Sequence, residues 1–180
     1  MRKTIFLFSL ALLFVSSSVF ATLFLDWNLT EDYTVKFSTQ KAEGTLKGLK
    51  GSVIFDPAAP ESARFDVTVD VATISTGNKT KDKHAKNKGW FHAAAHPTIR
   101  FVSEEVVATG NKYLASGQLT IKGITKSVAI PFTFSPNDAG GLFEGTLTVK
   151  RADYDLNGPF LFGGLVGDEV LVSLRVPVTN

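Results

Sequence analysis

The chain of 180 residues contains no cysteine, and it has only three histidines and two tryptophans. The absence of cysteine excludes a disulfide framework, a thiolate metal site and a cysteine nucleophile. Neither sign of charge prevails, since 19 Lys and Arg stand against 17 Asp and Glu, and a net charge of +2 is too small to indicate a nucleic-acid-binding protein. A content of 44% hydrophobic and 20% charged residues indicates a globular chain of one domain, or at most two small ones.

One long apolar run is present, at the amino terminus. Arg2 and Lys3 precede an apolar stretch over 5–15, and Ala21 ends a short segment of the kind that a signal peptidase cleaves. The run is shorter than the roughly 20 residues that a membrane-spanning helix needs. We therefore expect residues 1–21 to be a signal peptide, with a retained anchor as the alternative. Cleavage after Ala21 leaves 159 residues with 17 basic and 17 acidic side chains, in a periplasmic or secreted protein.

The remaining chain alternates between apolar and polar residues, which is the period of a β-strand with one buried face. Eight segments show this pattern, the second, fourth and fifth of them more weakly: 32–38, 44–56, 64–71, 98–109, 112–122, 127–135, 143–150 and 170–178. Short turns between consecutive strands imply antiparallel pairing. Eight strands are enough to close a barrel, although a two-sheet sandwich gives the same pattern.

Residues 75–97 lack the alternation and carry five lysines against one aspartate. The segment is too long for a hairpin, and its composition predicts a short helix within about 81–95, ended by Pro97. Such long excursions are often functional, and a solvated lysine-rich loop is the alternative interpretation. His92 and His96 have the i, i+4 spacing of a helical metal pair, but the alanines between them supply no further ligand, so we expect no metal site.

No catalytic constellation is apparent, because the chain has no Gly-x-Ser-x-Gly elbow and pairs such as Glu104 and Glu105 are ordinary on exposed strands. We therefore expect no enzyme and no cofactor. What remains is apolar: two strands place small residues among large ones on one face, namely Tyr113, Ala115, Gly117, Leu119 and Ile121, and Phe143, Gly145, Leu147 and Val149. Such faces leave room for a channel through a barrel, unless Phe and Leu from facing strands fill it.

Several motifs follow one another over about 26–178. They are Gly77-Asn78, Asp82-x-His84, Phe91, Pro97-Thr98-Ile99-x-Phe101, Gly117-x-Leu119-Thr120-Ile121-x-Gly123-Ile124-Thr125-Lys126, Arg151-x-Asp153-Tyr154 and Gly167-Asp168-Glu169-Val170. Together they resemble the YceI-like family of exported, lipocalin-like polyisoprenoid-binding proteins. The chain departs from the family pattern in four places. Lys81 stands where Arg is common, Trp90 replaces one Phe of a pair, and Asp155 stands where glycine is usual. The first strand, 32–41, lacks the histidines that are common there.

The resemblance implies an all-β fold, in which residues 22–180 form an antiparallel eight-stranded lipocalin-like barrel with one short helical excursion. It also implies a hydrophobic interior that takes an isoprenoid or other long-chain lipid, for carriage, storage or stress response. A transient membrane contact and a homodimer are left open, and nucleic acid is not expected as a partner.

From alternation and the motifs, we expect ligand contacts from strand and excursion residues: Phe37, Phe101, Leu119, Ile130, Phe132, Phe134, Leu147, Trp90 and Phe91. Asp82 and His84 are candidates for a headgroup contact at a pore mouth, with anchoring of the excursion as the alternative role.

Two rival classes of protein fit the alternation. An outer-membrane barrel reverses the two faces and carries Trp and Tyr girdles at its strand ends, whereas Phe dominates mid-strand positions here. An exported structural or interaction protein has a filled core and no ligand.

Overall fold

The computed structural model describes residues 25–40, 42–157 and 167–180, so the expected signal peptide (1–21) lies outside the described residues. The strands in these ranges are β1 (Asn28–Leu29), β2 (Thr34–Ser38), β3 (Glu43–Ile54), β4 (Arg64–Ser75), β5 (Thr98–Thr109), β6 (Lys112–Ile121), β7 (Ile124–Asn137), β8 (Gly140–Lys150) and β9 (Glu169–Thr179). Helix α1 (Lys79–Lys86) lies between β4 and β5, and short 3₁₀ helices span Pro60–Ser62 and Arg151–Tyr154. Within these described ranges, no helix combines the length and hydropathy needed to cross a bilayer.

Strands β2 to β9 form one closed antiparallel ring. Each strand pairs with the next along the chain, and β9 pairs with both β8 and β2, which closes the ring. The two-residue β1 continues the position of β2 beside β9, through the pairs Asn28–Thr179 and Leu29–Val178. The expected eight-stranded antiparallel barrel is confirmed, and a sandwich is excluded because one continuous sheet closes on itself.

The turn between β6 and β7 illustrates how the chain reverses within two residues. Lys122 and Gly123 both have positive φ, 51° and 76°. Two consecutive residues in this conformation give a tight turn whose twist matches that of the flanking strands, so the hairpin needs no longer loop.

Helix α1 begins at a well-formed cap. The side chain of Asn78 accepts hydrogen bonds from the backbone N–H groups of Thr80 (3.0 Å) and Lys81 (3.1 Å), which satisfies two of the free donors of the first turn. The helix is shorter than the 81–95 range expected from composition. It ends at Lys86, because Asn87 is extended (φ −74°, ψ 165°) and His92 has a positive φ of 49°.

The pairing of β3 with β4 contains an irregular seam. Between the Thr45–Ser75 and Lys47–Asp70 pairs, residues 71–74 of β4 face a single residue of β3. A bulge in β3 follows between the Lys47–Asp70 and Lys50–Thr68 pairs, where Gly48 and Leu49 face the single residue Val69. Side-chain hydroxyls replace the missing ladder bonds there: the Lys47 N–H donates to Thr73 Oγ1 (2.8 Å), and the Leu49 N–H donates to the Tyr33 hydroxyl (3.0 Å).

Because the strands alternate in direction, the loops gather at two ends of the barrel. The aromatic end comprises segments 25–33 (which includes β1), 55–63, 110–111 and 138–139, and the described part of the excursion end comprises 39–40, 42, 76–97, 122–123, 151–157 and 167–168. The outer wall between them carries ion pairs, including the bidentate contact of Arg100 with Asp66 at 2.8 and 2.6 Å. Hydrogen bonding to Arg100 lowers the pKa of Asp66.

Candidate ligand-binding cavity

A cavity of about 220 Å³ lies inside the barrel. Its lining comes from all eight strands of the ring and is apolar except for Thr68 and Glu144: Leu29, Val35, Leu46, Leu49, Val53, Phe65, Val67, Thr68, Val69, Ile99, Phe101, Ala115, Leu119, Ile121, Ile130, Phe132, Phe143, Glu144, Gly145, Leu147, Val149, Val172, Leu174 and Val176. Glu144 borders the cavity beside Gly145, while its carboxylate lies 3.9 Å from Arg175 Nε and is exposed. The apolar strand faces therefore point inward, opposite to the arrangement of an outer-membrane barrel.

Small residues on the inward faces affect the cavity in two ways. Ala115 and Gly145 line it, and a Cβ at Gly145 would lie 3.1 Å from the Pro131 carbonyl oxygen, so a larger side chain there would displace its neighbours. Gly117 does not line it. A Cβ there would lie 2.1 Å from the Val102 carbonyl oxygen, so this glycine permits close approach of β6 to β5.

The aromatic end is closed by packed rings, which we call the aromatic cluster: Trp27, Phe55, Phe65, Tyr113, Phe132, Phe134 and Phe143. Phe55 is fully buried at its centre, with ring centroids 4.9 Å from Tyr113 and 5.3 Å from Phe134 in edge-to-face geometry. Trp27 is fixed by its Nε1–H, which donates to the Phe55 carbonyl at 2.8 Å. The described residues thus seal this end with apolar groups.

The excursion end is covered by the segment between β4 and β5. Ala85 and Phe91 pack against a small buried cluster of Val35, Leu46, Val69 and Ile74 in the barrel wall. Three members of that cluster also line the cavity, so the excursion lies directly over it.

Arg151 and Trp90 join the excursion to the connection after β8. The guanidinium of Arg151 lies 5.4 Å from the centroid of the Trp90 ring, and its Nη1 donates to the Leu156 carbonyl at 2.6 Å. Burial lowers the pKa of Arg151 and raises that of its buried neighbour Tyr154. Trp90, predicted as a ligand contact, thus stacks on a buried cation and does not line the cavity.

Asp155 occupies a position where only certain residues fit, since its φ of 52° is left-handed. The Lys122 ammonium donates to the Asp155 carbonyl (2.6 Å) and to its carboxylate (2.8 Å), and this hydrogen bond lowers the pKa of Asp155. Aspartate tolerates this conformation better than most residues, and Lys122 supplies a partner, which explains how it replaces the glycine usual here.

The remaining apolar residues predicted as ligand contacts differ in their position along the barrel axis. Five of them line the cavity: Phe101, Leu119, Ile130, Phe132 and Leu147. Phe134 faces the interior but belongs to the aromatic cluster, beyond the cavity. Phe37 and Phe91 are half-buried and pack beside the Val35–Leu46–Val69–Ile74 cluster without lining the cavity.

Asp82 holds the excursion in place. Its carboxylate accepts hydrogen bonds from the Thr76 N–H and from the Thr76 hydroxyl, both at 2.7 Å, and these bonds lower its pKa. This is the anchoring role considered above. His84 lies exposed on α1. The rings of His92 and His96 are 5.6 Å apart, and the described residues contain no group of three or more potential metal ligands.

Several lining residues were absent from the sequence-predicted set. Val172, Leu174 and Val176 of β9 share one parity, so alternation was sufficient to find them. Leu46 and Leu49 both line the cavity although they are three residues apart, because the β3 bulge changes the parity between them. Period-two analysis cannot find such a pair.

An up-and-down barrel closed around an apolar cavity places the chain in the class of small β-barrels with a hydrophobic interior. A YceI-like domain profile matches residues 26–178. The chain belongs to the YceI-like family.

Solved structures and curated relatives agree with this assignment. The crystal structure of Burkholderia cenocepacia BcnA is similar, with a TM-score of 0.80 and 31% identity over 85% of this chain and 100% of that one. A UPF0312 protein of Pseudomonas syringae pv. tomato is 35% identical over 123 residues, and the match spans 64% of each chain. A polyisoprenoid binding domain from Saccharophagus degradans, implicated in plant cell wall breakdown, shares the fold, with a TM-score of 0.64, 14% identity and coverage of 87% and 99%.

Proposed function

We propose that this protein binds the long apolar chain of a polyisoprenoid or similar lipid inside its barrel. The observation that carries the proposal is the apolar cavity inside the barrel, where Thr68 and Glu144 are the only polar residues among the described ones that line it. Each methylene removed from water contributes about 0.8 kcal/mol. Ten methylenes contribute about 8 kcal/mol, which is comparable to an association cost of about 4–15 kcal/mol, so such a site favours long chains over short ones.

The comparisons support the same role. The Saccharophagus degradans neighbour is described as polyisoprenoid-binding, and its fold matches 87% of the present chain. An apolar lining suits binding better than catalysis. The basic and apolar segment over 1–21 supports export, and we propose that the mature protein starts at Thr22 in the periplasm or outside the cell, where it carries or stores lipid or acts in a stress response.

The direct test is mass spectrometry of an organic extract from the protein purified without detergent from its native envelope. We expect a long-chain lipid in stoichiometric amount. Extracts without lipid, together with a native mass spectrum of the unliganded mass alone, would instead support the exported structural protein with a filled core.

A pair of substitutions in β7 locates the binding site. Phe132 lines the cavity, so Phe132→Asp places a carboxylate against the bound chain and should sharply reduce the retained lipid. Thr133 has the opposite parity on the same strand, and Thr133→Asp carries the same charge as the matched control. Equal lipid retention by two folded variants would contradict binding in the cavity.

Since desolvation of the new carboxylate also destabilises the barrel, urea unfolding is measured on both variants. If Phe132→Asp does not fold, Phe132→Leu decides the question. This variant keeps an apolar lining but changes its shape, so we expect a shifted distribution of chain lengths in the extract. An unchanged distribution would count against the proposal.

A further inference from the structure

The excursion concentrates positive charge on an exposed surface. Five of its residues are lysines, and Asp82 is its one carboxylate. Lys79, Lys81, Lys83 and Lys88 are all exposed. With Asp82 held by Thr76, the segment presents a net charge of about four positive units to solvent at neutral pH. We call residues 79–88 the basic face.

This charge is not neutralised within the described part of the chain. Ion pairs there use Lys36, Lys122, Arg100 and Arg175, and none uses a lysine of the basic face. Lys86 interacts electrostatically with Asp82, so Lys79, Lys81, Lys83 and Lys88 are the exposed charges left to an external partner.

The opposite end of the barrel has the opposite sign. Six carboxylates lie in or beside the loops of the aromatic end, against Arg64 and Lys112: Asp26, Glu31, Asp32, Asp56, Glu61 and Asp138. The described connections at the excursion end also hold Asp153, Asp155 and Asp168, so that seven basic side chains stand there against four carboxylates. A mature chain of zero net charge is thus polarised along the barrel axis. Such a charge distribution orients the molecule with its basic face toward a negatively charged surface.

The basic face belongs to the same segment that covers the cavity. Ala85, within α1, and Phe91, just after it, pack over wall residues that line the cavity. Any flat surface that contacts the lysines therefore lies against the covered end of the cavity and away from the sealed aromatic end.

From these observations, we propose that the basic face is a docking surface for an anionic phospholipid bilayer. A lysine near such a surface strengthens binding about fivefold, so three of them contribute about a hundredfold. Four exposed lysines within ten residues suit a broad anionic surface, where no fixed geometry is required. This proposal depends on the charge and the position of the basic face, and it does not depend on which ligand occupies the cavity.

The test is co-sedimentation of the purified mature protein with two kinds of vesicle, pure phosphatidylcholine and phosphatidylcholine mixed with phosphatidylglycerol. We expect binding to the mixed vesicles at low ionic strength, little binding to the neutral ones, and release as salt shortens the screening length. Failure to bind the mixed vesicles at low salt, or equal binding to both kinds, would overturn the proposal and leave an acidic protein as the alternative partner.

Two triple variants show whether the basic face is responsible. In the first variant, glutamine replaces Lys81, Lys83 and Lys88 together, and binding to the mixed vesicles should weaken about a hundredfold. The control variant replaces Lys50, Lys112 and Lys126 with glutamine. It removes the same charge from exposed positions on the barrel strands and should have a much smaller effect on binding. Glutamine keeps the helix propensity of lysine, so α1 is retained in the first variant. Equal weakening by the two variants would show an effect of net charge alone and refute the docking surface.

Lipid extraction from the same variants separates this proposal from the function of the cavity. Lost vesicle binding with retained lipid is the expected result for the first triple variant. If wild-type protein contains no lipid but still binds anionic vesicles through the basic face, the cavity proposal fails and the docking surface stands.

Discussion

The two ends of the barrel are closed by different kinds of interaction. At the aromatic end, rings pack edge to face around the fully buried Phe55, and the contacts are apolar and dense. At the excursion end, a short capped helix, the Asp82–Thr76 hydrogen bonds and the Arg151–Trp90 contact hold a polar segment over the cavity. Apolar burial stabilises strongly and does not depend on pH. A partly buried hydrogen bond to a carboxylate contributes less, and it is lost when that carboxylate is protonated. The comparison indicates that the aromatic end contributes more to stability than the excursion end.

The largest expected effect tests this contrast directly. Phe55→Ala should reduce the free energy of unfolding by about 3–5 kcal/mol, because it removes a fully buried ring and leaves a cavity. Phe91→Ala is the control at the excursion end. Its ring is only half-buried, so we expect a smaller loss of unfolding free energy. Urea unfolding measures both values, and an equal loss for the two would disprove the assignment of stability to the aromatic end.

A smaller and local effect is expected from the helix cap. Asn78→Ala removes the acceptor for the N–H groups of Thr80 and Lys81 and should destabilise α1 by about 1 kcal/mol. Amide hydrogen exchange should accelerate in α1 and remain unchanged in β7 and β8. Asn87→Ala, at the other end of the helix, removes no side-chain cap and serves as the control. Acceleration throughout the barrel would show that the excursion is not a separate unit.

The smallest effect concerns acid. Hydrogen bonds from Thr76 lower the pKa of Asp82 below its ordinary value of 3.8, so their contribution to stability is fully present above pH 3.8 and is lost as the pH falls through the lowered native pKa. The amide resonance of Thr76 should therefore titrate below pH 3.8 in the wild type and lose this titration in Asp82→Asn. Asp138→Asn, at the aromatic end, should leave it unchanged. A Thr76 titration at or above pH 3.8 would contradict the hydrogen-bonded anchor.

Much of the fold was predictable, because the alternation of apolar and polar residues shows which face of each strand is buried. That information placed Phe101, Leu119, Ile130, Phe132 and Leu147 inside the barrel, where the structure shows them lining the cavity. Closure of the ring was not predictable from alternation, since the pairing of β9 with β2 joins distant parts of the chain.

The candidate site was predicted less completely, because parity carries no information on height along the barrel. Phe132 and Phe134 share a face of β7, yet one lines the cavity and the other packs against Trp27 in the aromatic cluster. The excursion has no periodicity, so the contact of Trp90 with Arg151, 61 positions away, left no local signal. Leu49 was missed because a bulge in β3 interrupts the alternation on which the prediction depends.

The irregular seam between β3 and β4 has a consequence for solubility. A closed ring presents no free strand edge, and free edges are what template association of one β-protein with another. At the seam, two main-chain N–H groups depend on the hydroxyls of Thr73 and Tyr33 in place of a neighbouring strand. These two hydroxyls keep both donors hydrogen-bonded where the ladder is interrupted, so neither the Lys47 nor the Leu49 N–H group is left unpaired for an incoming strand.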